Sequence, residues 1–451
     1  MSGGASRDGT IYGHPRGLAY LAFTEMWERF SYYGMTALLT LYMVKQLLLP
    51  GHVENVLGLD ALRTLFEFRG PMSDLAFASL IYGWYGGLVY FTPLLGGLIA
   101  DRWLGAKRTV VIGALLMSAG HLAMSFDASF LIALALLILG SGCLKGNISA
   151  QVGTLYPLAA ASLRDRGFTI YSTGINIGAA IGPLATASVA AIYGWHAGFA
   201  LAAGLMLVAL IVYLAGQKHL PESPIARSGA TVRAPLTAAE RRRTWALIAV
   251  IVLNIPISIA YPMIWSLGIV WIDAQVGLGT SLGTVPAGAF NSLDSIGSIL
   301  AAAPLLALWA AQARRGSEPG SLTKIAVGAF IMGLSILLMA AGNLFPGTDG
   351  KVAVWWAIAA YLGCGMAFMW YWPVTLSIVS ALAPLPVKST LMGGAFIALF
   401  IGTVIMGWVG SFYDQMTPAA FWALDAAIAF AGALLILAVR RPLIRALAPP
   451  A

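Results

Sequence analysis

LAYLAFTEMWERFSYYGMTALLTLYMV, residues 18–44, is apolar and long enough to cross a membrane, yet it carries three charged side chains. Glu25, Glu28 and Arg29 are spaced i, i+3 and i+4, so they lie on one face of one helix. A charge at bilayer depth costs roughly 2.5–3.5 kcal/mol on insertion scales. Such residues usually face a bundle interior or a water-filled cavity, where they mark a pathway for a substrate, ion or proton. A purely structural ion-pair lock is the alternative.

The composition of the whole chain agrees with this first segment. The 451 residues are 59% hydrophobic and only 10% charged, and the mean hydropathy is +0.83. Long, nearly uncharged stretches recur from end to end, which predicts an all-α membrane protein with many spans. The N-terminal sequence has no short apolar core followed by a cleavage site, so no cleaved signal peptide is expected. Cys143 and Cys364 both lie in apolar segments, and no disulfide framework is implied.

The hydrophobic pattern predicts twelve transmembrane helices. Their approximate bounds are 18–44, 76–100, 109–126, 129–150, 168–193, 197–216, 245–273, 286–310, 323–342, 353–380, 390–413 and 418–439. With the N-terminus inside, 20 of the 26 Lys and Arg residues fall on the cytoplasmic side. The outside loops then carry only Lys45, Arg63, Arg69 and Lys351. Basic residues favour the cytoplasmic side, so both termini are predicted to be cytoplasmic, in the plasma membrane of a bacterium (its inner membrane).

The longest polar stretch predicts the domain organisation. Residues 217–244 form a cytoplasmic linker between an N-terminal bundle of six helices, 1–216, and a C-terminal bundle of six helices, 245–451. Two such halves around a central cavity are the usual layout of the major facilitator fold.

The charge distribution and the motifs argue against several other functions. The net charge of +8 comes from basic residues in loops between spans, not from a soluble basic domain, so no nucleic acid partner is expected. The five histidines are scattered and form no zinc-binding motif. We therefore expect no metal, no cofactor and no enzymatic activity. A membrane receptor or enzyme stays as the alternative of another class.

Four motifs together resemble one family, the proton-dependent oligopeptide transporters of the major facilitator superfamily. They are EMWERFSYYG (Glu25 to Gly34), YFTPLLGGLIADRWLGAKRTV (Tyr90 to Val110), GSGCLKGNIS (Gly140 to Ser149) and FTIYSTGINIGAAIGPL (Phe168 to Leu184). The resemblance covers nearly the whole N-terminal half. It continues more weakly through FNSLDS (Phe290 to Ser295) and PVTLSIVSALAP (Pro373 to Pro384).

Elementary physics gives these motifs plausible roles. Glycines before and after Asp101 permit close helix packing and a tight turn, and Asp101 can bond the neighbouring basic loop as a cytoplasmic latch. The alternative, a mere positive-inside loop, accounts for Arg102 but not for the glycines. Lys145 lies in mid-span, where an unpaired ammonium is costly, so Glu25 and Glu28 are its natural partners. Breaking that pair on protonation or substrate arrival is a proton-coupled switch.

The resemblance implies roles for further residues. Arg29 and Lys145 would hold the carboxylate of a bound peptide. Tyr33, Tyr90 and Asn176 would line the pocket, although Asn176 can instead bond a neighbouring helix. Glu25, Glu28 and Lys145 would take part in proton coupling.

The C-terminal half departs from the family pattern. The family's glutamate of the seventh span corresponds to Pro262, and the arginine that pairs with it corresponds to Thr36. Both partners are lost together, so no buried charge is left alone. We assign Asp101, Arg102 and Pro262 to gating. The glutamate of the tenth span corresponds to Phe368, and the tryptophan of the eleventh corresponds to Ala395.

One acid is gained. Asp294 replaces an asparagine of the family and is predicted to bind a substrate amine, to carry a proton, or both. The amine side of the pocket is predicted to be aromatic, with Phe368 and Trp372 among its residues and with Trp265, Trp370 and Tyr371 nearby. Ordinary packing of these rings is the alternative.

The sequence therefore predicts a monomeric secondary transporter in the lipid bilayer that imports di- or tripeptides, or peptide-like molecules, with protons. The losses at Thr36 and Pro262 leave a second possibility open. It is a divergent relative with a substrate that lacks a free amine and with weak or absent proton coupling.

Overall fold

The structure, a computed structural model, describes residues 10–157, 161–221, 236–280 and 283–448. The middle of the predicted linker and the basic residues Arg7, Arg227 and Arg233 lie outside these ranges. Nearly all of the described chain is helical. The α-helices are α1 Arg16–Tyr42, α2 Leu59–Phe66, α3 Asp74–Ile99, α4 Gly105–Ala123, α5 Phe130–Thr154, α6 Ala161–Tyr193, α7 Trp195–Gly216, α8 Ala238–Leu253, α9 Ile255–Gln275, α10 Asn291–Arg314, α11 Ser321–Leu344, α12 Val354–Leu382, α13 Lys388–Gly410 and α14 Pro418–Leu447.

Two short antiparallel hairpins are the only strands within the described ranges. One pairs β1 Thr10–Ile11 with β2 His14–Pro15, and the other pairs β3 Gly279–Thr280 with β4 Gly283–Thr284. The all-α membrane fold predicted from the sequence is therefore confirmed.

Within the described part of the chain, ten helical stretches are long and apolar enough to cross a membrane. One of them, Asp74–Ala123, has 50 residues, which is long enough for two passes at about 20 residues each. The π-helical turn Ala100–Leu104 and Gly105, with a φ of 73°, divide it into α3 and α4. The charged helix α1 is not among the ten, so the predicted total of twelve stays a prediction.

The predicted seventh span is broken in the structure. Residues 245–273 were expected to form one helix, but α8 ends at Leu253 and α9 begins at Ile255. The amide of the buried Asn254 donates to the Val250 carbonyl oxygen at 2.8 Å. The Thr375 hydroxyl donates to the Asn254 amide oxygen at 3.2 Å. Polar side chains thus provide hydrogen bonds at the point where the helix is interrupted. Pro256 explains why α8 ends here, because proline disfavours a helical conformation in the residue before it and has no backbone N–H to donate.

The predicted outside segment 45–75 contains the short helix α2. Arg63 Nε donates to Glu67 at 3.0 Å, and Arg63 Nη2 pairs with Asp74 at the same distance. The Arg63 guanidinium, together with the Met72 backbone N–H, lowers the pKa of the Glu67 carboxyl below its usual value. This segment is therefore tied to the start of α3.

The described chain divides into two compact units. The first contains 10–35, 55–57, 91–157 and 161–221, and the second contains 36–54, 58–90, 236–280 and 283–448. The predicted division into two six-helix bundles at 217–244 stays a prediction.

Glycines set the packing of the first unit. A Cβ on Gly174, Gly178 or Gly182 of α6 would lie 2.9, 2.2 or 2.5 Å from a backbone oxygen of α1. A Cβ on Gly96 of α3 would lie 2.0 Å from the Gly142 oxygen of α5. The close helix packing predicted for the glycines before Asp101 is therefore present at Gly96, where it holds α3 beside α5. The three glycines of α6 hold α1 beside α6 in the same way.

The second unit has a core of packed C-terminal helices. Helix α11 packs along α12 and α14, and α10 packs along α12. Within this unit, the α3 hydroxyl of Ser79 donates to the Gly407 oxygen of α13 at 3.1 Å. A Cβ on Gly83 would lie 2.6 Å from the Gly407 Cα, so α3 and α13 are in backbone contact there.

Candidate functional site

The three charges of α1 form a buried ion-pair cluster in the first unit. Arg29 Nε lies 2.9 Å from Glu25 Oε1 and 2.6 Å from Glu28 Oε2. The exposed fractions of Glu25, Glu28 and Arg29 are 2%, 0% and 7%. The helical spacing thus brings the three side chains together on one buried face, as the sequence predicted.

Lys145 joins this cluster from α5. It lies within electrostatic reach of Glu25, Glu28 and Arg29. Its Nζ lies 4.1 Å from the centre of the Tyr32 ring, and Arg29 Cζ lies 5.8 Å from the same ring. Tyr32 therefore presents its ring to both cations, which is a favourable cation–π arrangement. We call Glu25, Glu28, Arg29, Tyr32 and Lys145 the charged cluster.

Two tyrosines, one within the charged cluster and one next to it, were not singled out by sequence reasoning. One is Tyr32 itself, which lies on the same helix face as Arg29 because it follows three residues later. The other is Tyr171 of α6, whose hydroxyl lies beside Glu25 and forms a 3.2 Å hydrogen bond with the Ser149 hydroxyl. Tyr171 occurs within the fourth motif quoted above, so the motif already pointed to this residue as a candidate for the site.

The charges within the charged cluster balance. Two carboxylates, Glu25 and Glu28, accompany two cations, Arg29 and Lys145. Arg29 forms ion pairs with both acids and donates a hydrogen bond to Glu25, whereas neither oxygen of Glu28 accepts a hydrogen bond from the described residues. Glu28 is therefore the acid with the least hydrogen-bond support for a negative charge.

The remaining predicted residues of the first unit are more exposed. Tyr33 is half-buried and packs edge-on against Tyr32, with 5.2 Å between ring centres. Asn176 is half-buried on α6, between Gly174 and Gly178, which together with Gly182 we call the seam glycines. Asp101 and Arg102 are both exposed in the π-helical turn that ends α3. Their roles stay predictions.

The second unit places Asp294 inside an aromatic cluster. Tyr261 donates its hydroxyl to Asp294 Oδ2 at 2.7 Å, and Asp294 is 2% exposed. The Tyr261 ring stacks on Phe368 with 5.5 Å between centres, and it meets Trp265 and Tyr371 edge-on at 6.4 and 6.3 Å. We call Tyr261, Trp265, Asp294, Phe368 and Tyr371 the aromatic cluster. Tyr261 is its centre, although sequence reasoning did not select it.

The structure separates the predicted aromatic residues of α12. Phe368 and Tyr371 belong to the aromatic cluster, and Tyr90 lies within electrostatic reach of Tyr371. Trp370 instead packs edge-on against Trp309, and Trp372 packs edge-on against Phe396, at 5.4 and 5.6 Å between centres. Trp372 therefore packs its ring against α13.

Two other contacts occur near Thr36 and Pro262, the positions that correspond to the family's charge pair. Thr36 is buried, and Pro262 lies half-buried inside α9. One turn further along, Thr40 Oγ1 forms a 2.9 Å hydrogen bond with Ser266 Oγ of α9. Beyond that, Lys45 forms an ion pair with Asp273 at the end of α9. A hydroxyl pair and a more exposed ion pair thus join the first helix to α9 within the second unit.

Within the described ranges, no group of three or more His, Cys, Asp or Glu side chains could hold a metal ion.

Known proteins resemble this chain over almost its full length. A protein-family model described as the POT family matches residues 107–234 and 234–423. A di-/tripeptide transporter of Lactococcus lactis subsp. lactis (strain IL1403) is 28% identical over 507 residues, which covers 97% of each chain. A peptide transporter of Yersinia enterocolitica subsp. palearctica is 29% identical over 504 residues and 95% of each chain. A crystal structure of a POT peptide transporter in complex with sulfate has a TM-score of 0.82, 27% identity and 97% coverage of each chain.

Proposed function

This chain belongs to the POT family, and from that premise we propose that it is a secondary transporter of di- and tripeptides or peptide-like molecules, driven by protons. The charged cluster carries the proposal. Two cations and two acids lie together on two helices of a membrane protein, with Glu25, Glu28 and Arg29 buried and Lys145 half-buried. Charges at membrane depth are costly and usually mark a pathway for a substrate, ion or proton. The relatives named above are peptide transporters, not enzymes.

We assign the substrate carboxylate to Arg29 and Lys145. Both cations lie over the Tyr32 ring, so the ring holds two positive groups on one buried surface. A guanidinium and an ammonium bind a carboxylate through charge-assisted hydrogen bonds, which are stronger than neutral ones. The buried setting increases their strength further because water screens the charges less.

Charge balance then links the substrate to a proton. The charged cluster is neutral with two acids and two cations, and a bound carboxylate adds one negative charge. Protonation of one acid restores neutrality, so proton binding and carboxylate binding favour each other. Glu28 is the proposed proton carrier because the described residues give its oxygens no hydrogen bond.

Glu28→Gln is expected to uncouple transport from the proton gradient. The amide cannot bind or release the proton, so accumulation in liposomes driven by a pH gradient should fall at least about 10-fold. Counterflow exchange of labelled peptide, which needs no gradient, should persist and serves as the internal control. Glu25→Gln is the matched variant, since Glu25 keeps a hydrogen bond from Arg29. Full gradient-driven accumulation by both variants would place the coupling elsewhere.

We further propose that Asp294 holds the substrate amine or a proton in the second unit. A buried carboxylate supplies the counter-charge that an ammonium needs in a partly dry pocket. The surrounding rings of Phe368 and Tyr371 offer cation–π contacts to the same ammonium. The alternative of a substrate without a free amine is favoured by one observation: Asp294 is nearly inaccessible behind Tyr261.

Asp294→Asn is expected to reduce uptake of a dipeptide with a free amine by about 10-fold or more, or to remove its pH dependence. The change removes the charge and keeps the shape. Tyr261→Phe is the matched control, because it removes the hydrogen bond to Oδ2 and leaves the charge. An N-acetylated dipeptide should be affected less than the free one. Unchanged affinity for the free dipeptide together with unchanged pH dependence would contradict the assignment and favour a substrate without an amine.

The most direct test of the function is uptake by purified protein in liposomes, with and without a proton gradient. A thermal-shift screen of dipeptides should find the substrate, because a ligand that binds the folded state raises its apparent stability. We propose a bacterial inner-membrane location, cytoplasmic termini and a monomeric state. Cysteine labelling of Arg16→Cys from one side of the membrane tests the orientation.

A further inference from the structure

A second acid is buried in the second unit and has no part in the proposed transport. Asp425 lies on α14, seven residues after the helix begins, and its exposed fraction is 0%. Neither of its carboxylate oxygens has a hydrogen-bond partner among the described residues. Asp294, by comparison, accepts a hydrogen bond from Tyr261.

Among the described residues, the helices that pack against α14 bring no cation to Asp425 to balance a negative charge. Helix α14 packs against α11, α9 and α8. Each described charged group of those helices either forms an ion pair with another residue or lies at a helix end. Lys324 of α11 pairs with Glu318, and Asp273 of α9 pairs with Lys45. Glu240 and the arginines 241–243 lie in the first turns of α8.

One titratable side chain does face Asp425. The buried thiol of Cys364, on α12, lies within electrostatic reach of both Asp425 and Asp294. On the same helix face as Asp425, three residues earlier, the indole Nε1 of the fully buried Trp422 also has no hydrogen-bond partner among the described residues. The nearby groups are therefore neutral, and none of them stabilises an anion as a cation would.

An ionised carboxylate in such surroundings is far more costly than a neutral one. We propose that Asp425 is a resident proton-binding site of the second unit: it keeps its proton at neutral pH, and folding of this unit therefore captures one proton. The proton is part of the folded structure and is not transported, since both carboxylate oxygens of Asp425 are buried from solvent.

This proposal predicts how stability depends on pH. In the unfolded chain an aspartate releases its proton above about pH 4, whereas the folded chain keeps it. The folded state then binds one proton more than the unfolded state. The contribution of Asp425 to stability therefore falls as pH rises above about 4, and the unfolding equilibrium constant increases tenfold per pH unit until the folded carboxyl also ionises.

The experiment compares purified wild type with Asp425→Asn, whose amide resembles a neutral acid and does not titrate. Tm is measured in detergent from pH 5 to pH 9. The advantage of the variant over wild type is expected to grow steadily with pH. Asp273→Asn is the matched control, because Asp273 is an acid of the same unit with an ion-pair partner; this variant should not gain stability with pH. A pH-independent difference between Asp425→Asn and wild type would overturn the proposal.

Infrared spectroscopy gives a second readout that does not depend on uptake. Wild type at pH 7 should show a carbonyl stretching band of a protonated carboxyl that is absent from Asp425→Asn. If the asparagine variant does not fold, Asp425→Glu should shift this band. No change of any protonated-carboxyl band in either variant would overturn the proposal. Gradient-driven uptake should be unaffected in Asp425→Asn, and a loss of accumulation with intact counterflow would show that the proton is transported, contrary to the proposal.

Discussion

Replacing Lys145 with alanine is expected to reduce dipeptide uptake by about 100-fold or more while the protein still folds. Truncating one partner of a buried, hydrogen-bonded charge pair costs about 2–5 kcal/mol, which corresponds to this loss in affinity. Arg29→Ala should abolish uptake too. However, it also leaves Glu25 and Glu28 without their partner, so Lys145 gives the cleaner measurement.

The matched control is Lys324→Ala. Lys324 is a buried lysine that likewise lies over an aromatic ring, with Nζ 3.9 Å from the centre of Trp309, but it lies outside both proposed binding clusters. Uptake should be nearly unchanged in this variant. A dipeptide whose carboxylate is amidated should compete poorly with the wild-type substrate, and Lys145→Ala should lose this discrimination. Normal uptake by purified Lys145→Ala would rule out the carboxylate assignment.

Gly178→Val should have the largest effect on stability. A Cβ at this position would lie 2.2 Å from the Met26 oxygen, and backbone cannot move aside as the end of a flexible side chain can. Overpacking of this kind costs about 3 kcal/mol or more. We expect an apparent Tm lower by about 5 °C or more, or a protein that does not reach the membrane.

Gly204→Val on α7 makes the same chemical change where a Cβ would have nothing within 4 Å. This variant should keep its Tm within about 1 °C, because surface changes alter stability by only about 0.5 kcal/mol. Equal stability of Gly178→Val and Gly204→Val would mean that α1 and α6 separate more easily than their backbone contact implies.

The charged cluster could be predicted because it depends on local spacing. Residues 25, 28 and 29 share a helix face in any α-helix, and Lys145 is the other charge that the sequence places in mid-span. Family membership, which the four motifs predict, is confirmed by the family match. The seam glycines were predictable for the same reason, since their spacing of four places them on one face of α6.

The parts that sequence reasoning missed depend on contacts between helices. Phe368 contacts Tyr261, whereas Trp372 contacts Phe396. The sequence of α12 does not predict this difference, because its four aromatic residues within five positions cover most of the helix surface. The break at Asn254 was different. Pro256 gave a local signal for it, and the strong hydropathy of the predicted span outweighed that signal.

The balance of two acids and two cations in the charged cluster has an electrical consequence. A dipeptide at neutral pH carries one positive and one negative charge, so its net charge is zero. If each substrate enters with one proton, every cycle moves one positive charge inward. A membrane voltage that is negative inside then adds about 2.3 kcal/mol per 100 mV to the driving force, and the protein can concentrate its substrate even where the pH is equal on the two sides.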